Sequence, residues 1–218
     1  MSLEALKRWR LIVPGMLIVA AFPPLFHAGF DAASWLEGVG STKALADAAG
    51  VVILGVLYYI FGIRDRFWRK WLSQVNEQIR NTLLGMCPDK QIQAKTDKLR
   101  SDRTLMHMFY RFIDIDPTLQ EKAKRVRFNG LIWTSVIDAW AISLFGSAAY
   151  LATYLLVDRI HLALIGLGLV AASGFCRSIL IPRLTKQHLD LSKEQLEFIE
   201  LHYRQDVCSE LRRIASGR

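Results

Sequence analysis

The sequence predicts an all-α fold: a polytopic membrane protein with four transmembrane helices and membrane-proximal cytosolic helices. Three observations predict it. Four windows are nearly free of charge, basic residues gather in the segments on one side of those windows, and apolar residues in the same segments recur at helical spacing. With 52% hydrophobic and 22% charged residues among 218 and no low-complexity tract, the chain is neither a disordered tail nor a collagen-like or disulfide-dense module.

The windows are Leu11 to Phe30, Ala44 to Ile63, Leu131 to Val157 and Ile160 to Pro182, and only Asp47, Asp138 and Arg177 within them are charged at neutral pH. About 20 apolar residues at ~1.5 Å rise cross a hydrocarbon core of ~30 Å, so each window is long enough to span. A core helix of a soluble bundle keeps one polar face, and Gly50 to Ile63 and His161 to Ser173 have none. Lys7, Arg8 and Arg10 ahead of the first window also suit a signal peptide. Pro14, Pro23 and Pro24 and the lack of a small-residue cleavage site favour a true span, bent at its prolines, whose freed backbone groups neighbouring helices must satisfy.

Orientation follows from Lys and Arg. Residues 1–10, 64–129 and 183–218 hold 25 of the 28, which places both termini and the central segment in the cytosol of a bacterial inner membrane. The formal net charge of +8 is therefore first a topological signal, although on one soluble surface it would suggest nucleic acid. The expected organisation is a cytosolic N-terminus (1–10), spans one and two (11–63), a cytosolic helical domain (64–129), spans three and four (130–182) and a cytosolic C-terminal amphipathic helix (183–218).

Beyond the second window, Phe67, Trp71, Val75, Ile79 and Leu83 recur every four residues and form one stripe. Span and extension are expected as one rod from about Ala44 to Leu84, stopped by Gly85 and Cys87-Pro88-Asp89. A more polar helix follows from about Asp89, gaining an apolar face at Leu105, Met106, Met108, Phe109, Phe112 and Ile113. Asp116 before Pro117 reads as an N-cap with proline at the first helical position, leading into span three. In the C-terminal segment, Leu189, Leu196, Ile199, Tyr203, Val207, Leu211 and Ile214 make an amphipathic helix that either packs on the central helices or serves self-association or the docking of a partner.

Candidate site residues fall into three groups. Asp138 and Arg177, roughly 10 Å and roughly 7 Å into the membrane at the α-helical rise, are expected as an intramembrane charge pair, structural or functional. Ala139, Ser143 and Ser147, with Gly168 and Ala172, have the small-xxx-small spacing that lets helices approach, within a monomer or between monomers of a homo-oligomer. Lys90, Lys95, Lys98, Arg100 and Arg103 are a basic run away from the span ends, either a solvated face or a surface for nucleic acid, an anionic ligand or an acidic protein partner. Trp9, Trp35, Trp68, Trp71 and Trp133 lie near span ends and suit interfacial belts.

Catalytic patterns are missing. The five histidines have no metal-ligand spacing, there is no phosphate-binding loop or dinucleotide fingerprint, and no cofactor is implied. The three cysteines are isolated in sequence, which suggests reduced thiols. Ser147 with His161 is the one arrangement that suits an intramembrane enzyme, and Asp138 the one that suits a channel or proton-coupled transporter.

The four spans and the helical extensions Arg64 to Phe128 and Arg183 to Arg218 resemble, in layout and over the whole chain, the small multi-span membrane proteins of bacterial antiphage systems. That resemblance implies a non-enzymatic oligomer in which a cytosolic part receives a signal or docks a partner and the spans permeabilise the membrane or hold an effector there. It assigns no site residues.

Overall fold

The computed structural model of the chain describes residues 3–22, 43–96, 99 and 103–216. The second half of the first window and most of the connection after it, with Trp35, Lys98 and Arg100, lie outside the described residues. The fold is all-helical, with no strand among the described residues. Its elements are α1 (Leu3–Ala21), α2 (Lys43–Ile60), α3 (Ile63–Gly85), the short α4 (Lys90–Gln93), α5 (Thr104–Ile115), α6 (Pro117–Val157), α7 (Ile160–Phe175), a π-helical turn (Cys176–Leu180) and α8 (Ile181–Ser216).

Two helices, Pro117–Val157 and the continuous stretch Ile160–Ser216, are long and apolar enough to cross a membrane, while Gly50–Ile60 is a shorter apolar helix. Only 28% and 17% of their most apolar windows are buried inside the molecule, so these windows are not the interior helices of a folded core.

The chain separates into two compact units, Met1–Trp68 with Leu131–Leu184 and Arg69–Gly130 with Thr185–Arg218. In the first, α1 crosses α2 where Gly15 meets the backbone of Val51 and Gly55 meets that of Leu11. A methyl at either glycine would overlap a carbonyl oxygen, so the crossing is set by main-chain contact. The turn joining α6 to α7 uses Asp158 in the left-handed region (φ 51°), with its N–H bonded to Tyr154 O at 2.8 Å. On the return, Gly166 faces Leu151 and Tyr150 and Gly146 faces Leu169, which sets the packing of α6 on α7.

The expected rod from Ala44 to Leu84 is interrupted. Gly62 adopts φ 60°, ends α2 and restarts the chain as α3, a conformation available to glycine at little steric cost. At the other end of the unit, Pro182 lacks an N–H and its ring crowds the preceding turn. The widened turn Cys176–Leu180, closed by Ile181 N–H to Cys176 O, lies directly before it.

The second unit has an ordinary hydrophobic core. Trp71, Val75, Ile79 and Leu83 of α3 are buried, as are Leu105, Met108, Phe109, Phe112 and Ile113 of α5. Leu196, Ile199, Val207 and Leu211 of α8 complete it, so the stripe of the C-terminal helix is used within the chain. Asp116 caps α6 as its sequence suggests, accepting from the N–H groups of Thr118 (2.7 Å) and Leu119 (3.0 Å), and its second oxygen accepts from Tyr203 Oη of α8 at 2.8 Å.

The cysteines correct an expectation. Cys87 and Cys208 form a disulfide with Cα atoms 5.5 Å apart, and Cys176 alone is free. The 121 residues between the paired cysteines leave no local pattern to read. Their bond belongs to a larger clamp: Arg204 Nε donates to Met86 O and Arg212 Nε pairs with Asp89, both at 3.0 Å. Positions 204, 208 and 212 are four apart, so one face of α8 grips the whole turn from Met86 to Asp89.

Candidate functional site

The polar centre of the first unit is built around Arg64, which follows Gly62 by two residues. Pro14 has no N–H to offer the carbonyl four residues earlier in α1, so Arg10 O loses its helical partner. Arg64 Nη2 donates to that carbonyl at 2.7 Å. The same guanidinium meets Asp138 of α6 side-on, with Nε to Oδ1 at 3.0 Å and Nη2 to Oδ2 at 2.5 Å. One arginine thus closes the proline gap in α1 and neutralises a carboxylate in α6.

The buried charge pair is therefore Arg64–Asp138, in place of the expected Asp138–Arg177. Arg177 lies instead with Cζ 5.5 Å from the centroid of the Trp140 ring. The physical reason is the break at Gly62: it turns the first basic residue after the apolar window inward to a site that also offers a free carbonyl. Asp138 is 0% exposed and Arg64 is buried. Tyr58, also buried, makes no hydrogen bond of ordinary geometry but lies close enough to Asp138 to interact electrostatically.

Aromatic rings flank this centre. Phe67 packs edge-on against Trp140 (4.8 Å) and Phe145 (5.9 Å), and Trp68 edge-on against Trp133 (5.7 Å). Trp71 and Trp133 are buried, so they are interior packing residues where an interfacial belt was expected, while Trp9 is exposed. Nothing in the spacing of aromatic residues separates these two uses.

The small residues divide. Ser147 is buried with its Oγ donating to Leu144 O at 2.8 Å, and Ala139 and Ser143 are half-buried. Gly168 and Ala172 are exposed, and a Cβ at Gly168 would meet nothing within 4 Å. The stripe 139/143/147 is not packed on 168/172, because the α6–α7 contacts run through Gly146 and Gly166, one residue before and two residues before the expected positions. His161 is exposed and the Ser147 hydroxyl is engaged with its own helix.

In the second unit, Lys90 and Arg103 of the basic run are exposed, whereas Lys95 Nζ donates to Ala215 O and caps the carboxyl end of α8. No group of three or more His, Cys, Asp or Glu side chains could hold a metal ion among the described residues.

Fold and site together define a helical protein in which a buried charge pair holds together helices whose outer faces are apolar. The chain matches no protein-family model, no curated protein and no solved structure.

Proposed function

We propose that the chain is a multi-pass inner-membrane protein with four spans and cytosolic termini, which couples an event at its cytosolic unit to a response of its membrane unit. The observation that carries this reading is the inverted burial of the first unit. Two of its charges, Arg64 and Asp138, are sealed inside, while Tyr59, Phe61, Leu164, Leu167 and Phe175 face outward with Leu155 (81% exposed) and Leu156 (86%). Water disfavours such a surface, and a lipid core accepts it. The second unit exposes large apolar side chains singly, at Tyr110, Ile115, Phe128 and Leu201.

Coupling is supported by the way the chain is divided: α3, α6 and the stretch through α8 each contribute residues to both units. The layout shared with antiphage membrane proteins supports a response that changes permeability, through an oligomer whose contact includes the outward Gly168 and Ala172. Side-on engagement of Asp138 by Arg64 favours a structural role for that carboxylate over a proton-carrying one. The test is mass measurement in detergent followed by dye release from liposomes carrying the purified chain. Oligomers that release dye support the reading, and a monomer that leaves vesicles sealed whatever cytosolic extract is added overturns the permeability response.

A further inference from the structure

We propose that Arg10 is the protein side of a binding site for the phosphate of an anionic phospholipid headgroup. The inference rests on the multi-pass reading above and starts from a charge imbalance. Arg10 and Arg64 lie close enough for their charges to repel, and Arg64 donates to the carbonyl of Arg10 itself. The charge of Arg64 is matched by Asp138, but among the described residues no carboxylate bonds to Arg10. Arg10 Nε is buried and has no acceptor. Two guanidinium groups thus lie close together beside one carboxylate, which pairs with Arg64, and the charge of Arg10 is left unmatched among the described residues.

A water molecule would leave that charge standing. A phosphate cancels it, and its oxygens match the outer nitrogens of the guanidinium fork. The residue is reachable, since Arg10 is only half-buried. It is also the last charged residue before the apolar run that begins at Leu11, the depth at which headgroup phosphates lie, and Lys7, Arg8 and Trp9 beside it are exposed. The site thus combines the unmatched guanidinium of Arg10, whose own carbonyl is fixed by Arg64, with an open rim of ordinary interfacial residues.

The experiment is native mass spectrometry of the full chain released from micelles doped equally with phosphatidylglycerol and phosphatidylcholine. The wild-type protein is expected to retain the anionic lipid in preference by about fivefold, the worth of one basic residue at a membrane surface. Arg10→Gln is expected to bring that preference close to one, Arg10→Lys to keep part of it, and Lys7→Gln with Arg8→Gln to leave it nearly intact. A preference unchanged in Arg10→Gln, or lost equally in the Lys7/Arg8 variant, overturns the site. Excess inorganic phosphate separates the sources: if it displaces the lipid and raises the melting temperature of lipid-free wild type but not of Arg10→Gln, the occupant is free phosphate and the lipid assignment fails. Circular dichroism of Arg10→Gln establishes that the helices persist. Carbonate extraction keeps the two readings apart, since a chain released from membranes fails the membrane reading itself, whereas a retained chain without Arg10-dependent lipid preference fails only this one.

Discussion

The side-on contact between Arg64 and Asp138 makes a sharp statement about single residues. Breaking a buried pair by removing one partner leaves a bare charge and costs roughly 3–5 kcal/mol, whereas replacing both by apolar groups of similar volume is often neutral. Asp138→Leu is therefore expected to lower the melting temperature in detergent steeply, and Arg64→Met with Asp138→Leu to recover most of the loss. The recovery should be incomplete, because the double variant still leaves Arg10 O without the donor that Arg64 supplies. Equal melting of the single and double variants overturns this account. Asp116 gives a second test at this scale. Hydrogen bonds from Tyr203, Leu119 and Thr118 hold its carboxyl below the usual carboxylate range. Because the folded-state value is the lower one, its stabilisation is fully present above the ordinary range and is lost as pH falls through the depressed value. The acid-side decline in melting temperature, which begins as pH enters the ordinary carboxylate range and continues below it, should flatten in Tyr203→Phe and further in Asp116→Asn. Superimposable acid limbs in all three proteins contradict the role given to this cap.

At the scale of elements, what the sequence reveals and conceals follows from distance along the chain. The stripe Phe67 to Leu83 and the Asp116 cap are legible because their signals lie within a few turns; the cap is formed and the stripe is buried from Trp71 onward, while Phe67 packs on Trp140 of the first unit. Pairings between elements have no such signal. Arg64 reads as one of several basic residues flanking an apolar run, and only the φ of Gly62 and the carbonyl freed by Pro14 show why it turns inward. The glycines are a similar case. Small-residue spacing points to 168 and 172, yet the main-chain contact lies between Gly15 and Gly55, which belong to different helices and have no common period. Gly15→Ala and Gly55→Ala should each cost about 3 kcal/mol or more, at or above the upper end of ordinary overpacking of a core, because carbonyl groups must move apart. Gly168→Ala should leave the monomer's melting unchanged, since its Cβ meets nothing. Any change in Gly168→Ala should appear instead as a shift in oligomer mass in detergent. A Gly15→Ala variant that melts like wild type removes the crossing from this account.

At the scale of the whole molecule, two observations bear on which side of the membrane the second unit faces. On the multi-pass reading proposed above, the distribution of Lys and Arg would place it in the cytosol. The Cys87–Cys208 bond is of a kind that persists in oxidising compartments and is opened by the cytosolic thiol pool. Both hold if the clamp on the turn Met86 to Asp89 is closed by ion pair and hydrogen bond alone in resting cells and gains its covalent part on oxidation. A loop as long as that between the paired cysteines is worth about 2–5 kcal/mol to the folded state when closed, so oxidation should visibly stiffen the attachment of α8. The expected result is that cells quenched with a permeant alkylating agent yield protein carrying three blocked thiols, and cells treated first with a thiol oxidant yield protein carrying one, at Cys176. Purified oxidised protein should then melt higher than the same protein in dithiothreitol, a difference abolished in Cys208→Ser. A single blocked thiol in untreated cells places the second unit outside the cytosol, reverses the orientation read from the basic residues, and makes the disulfide a permanent part of the fold.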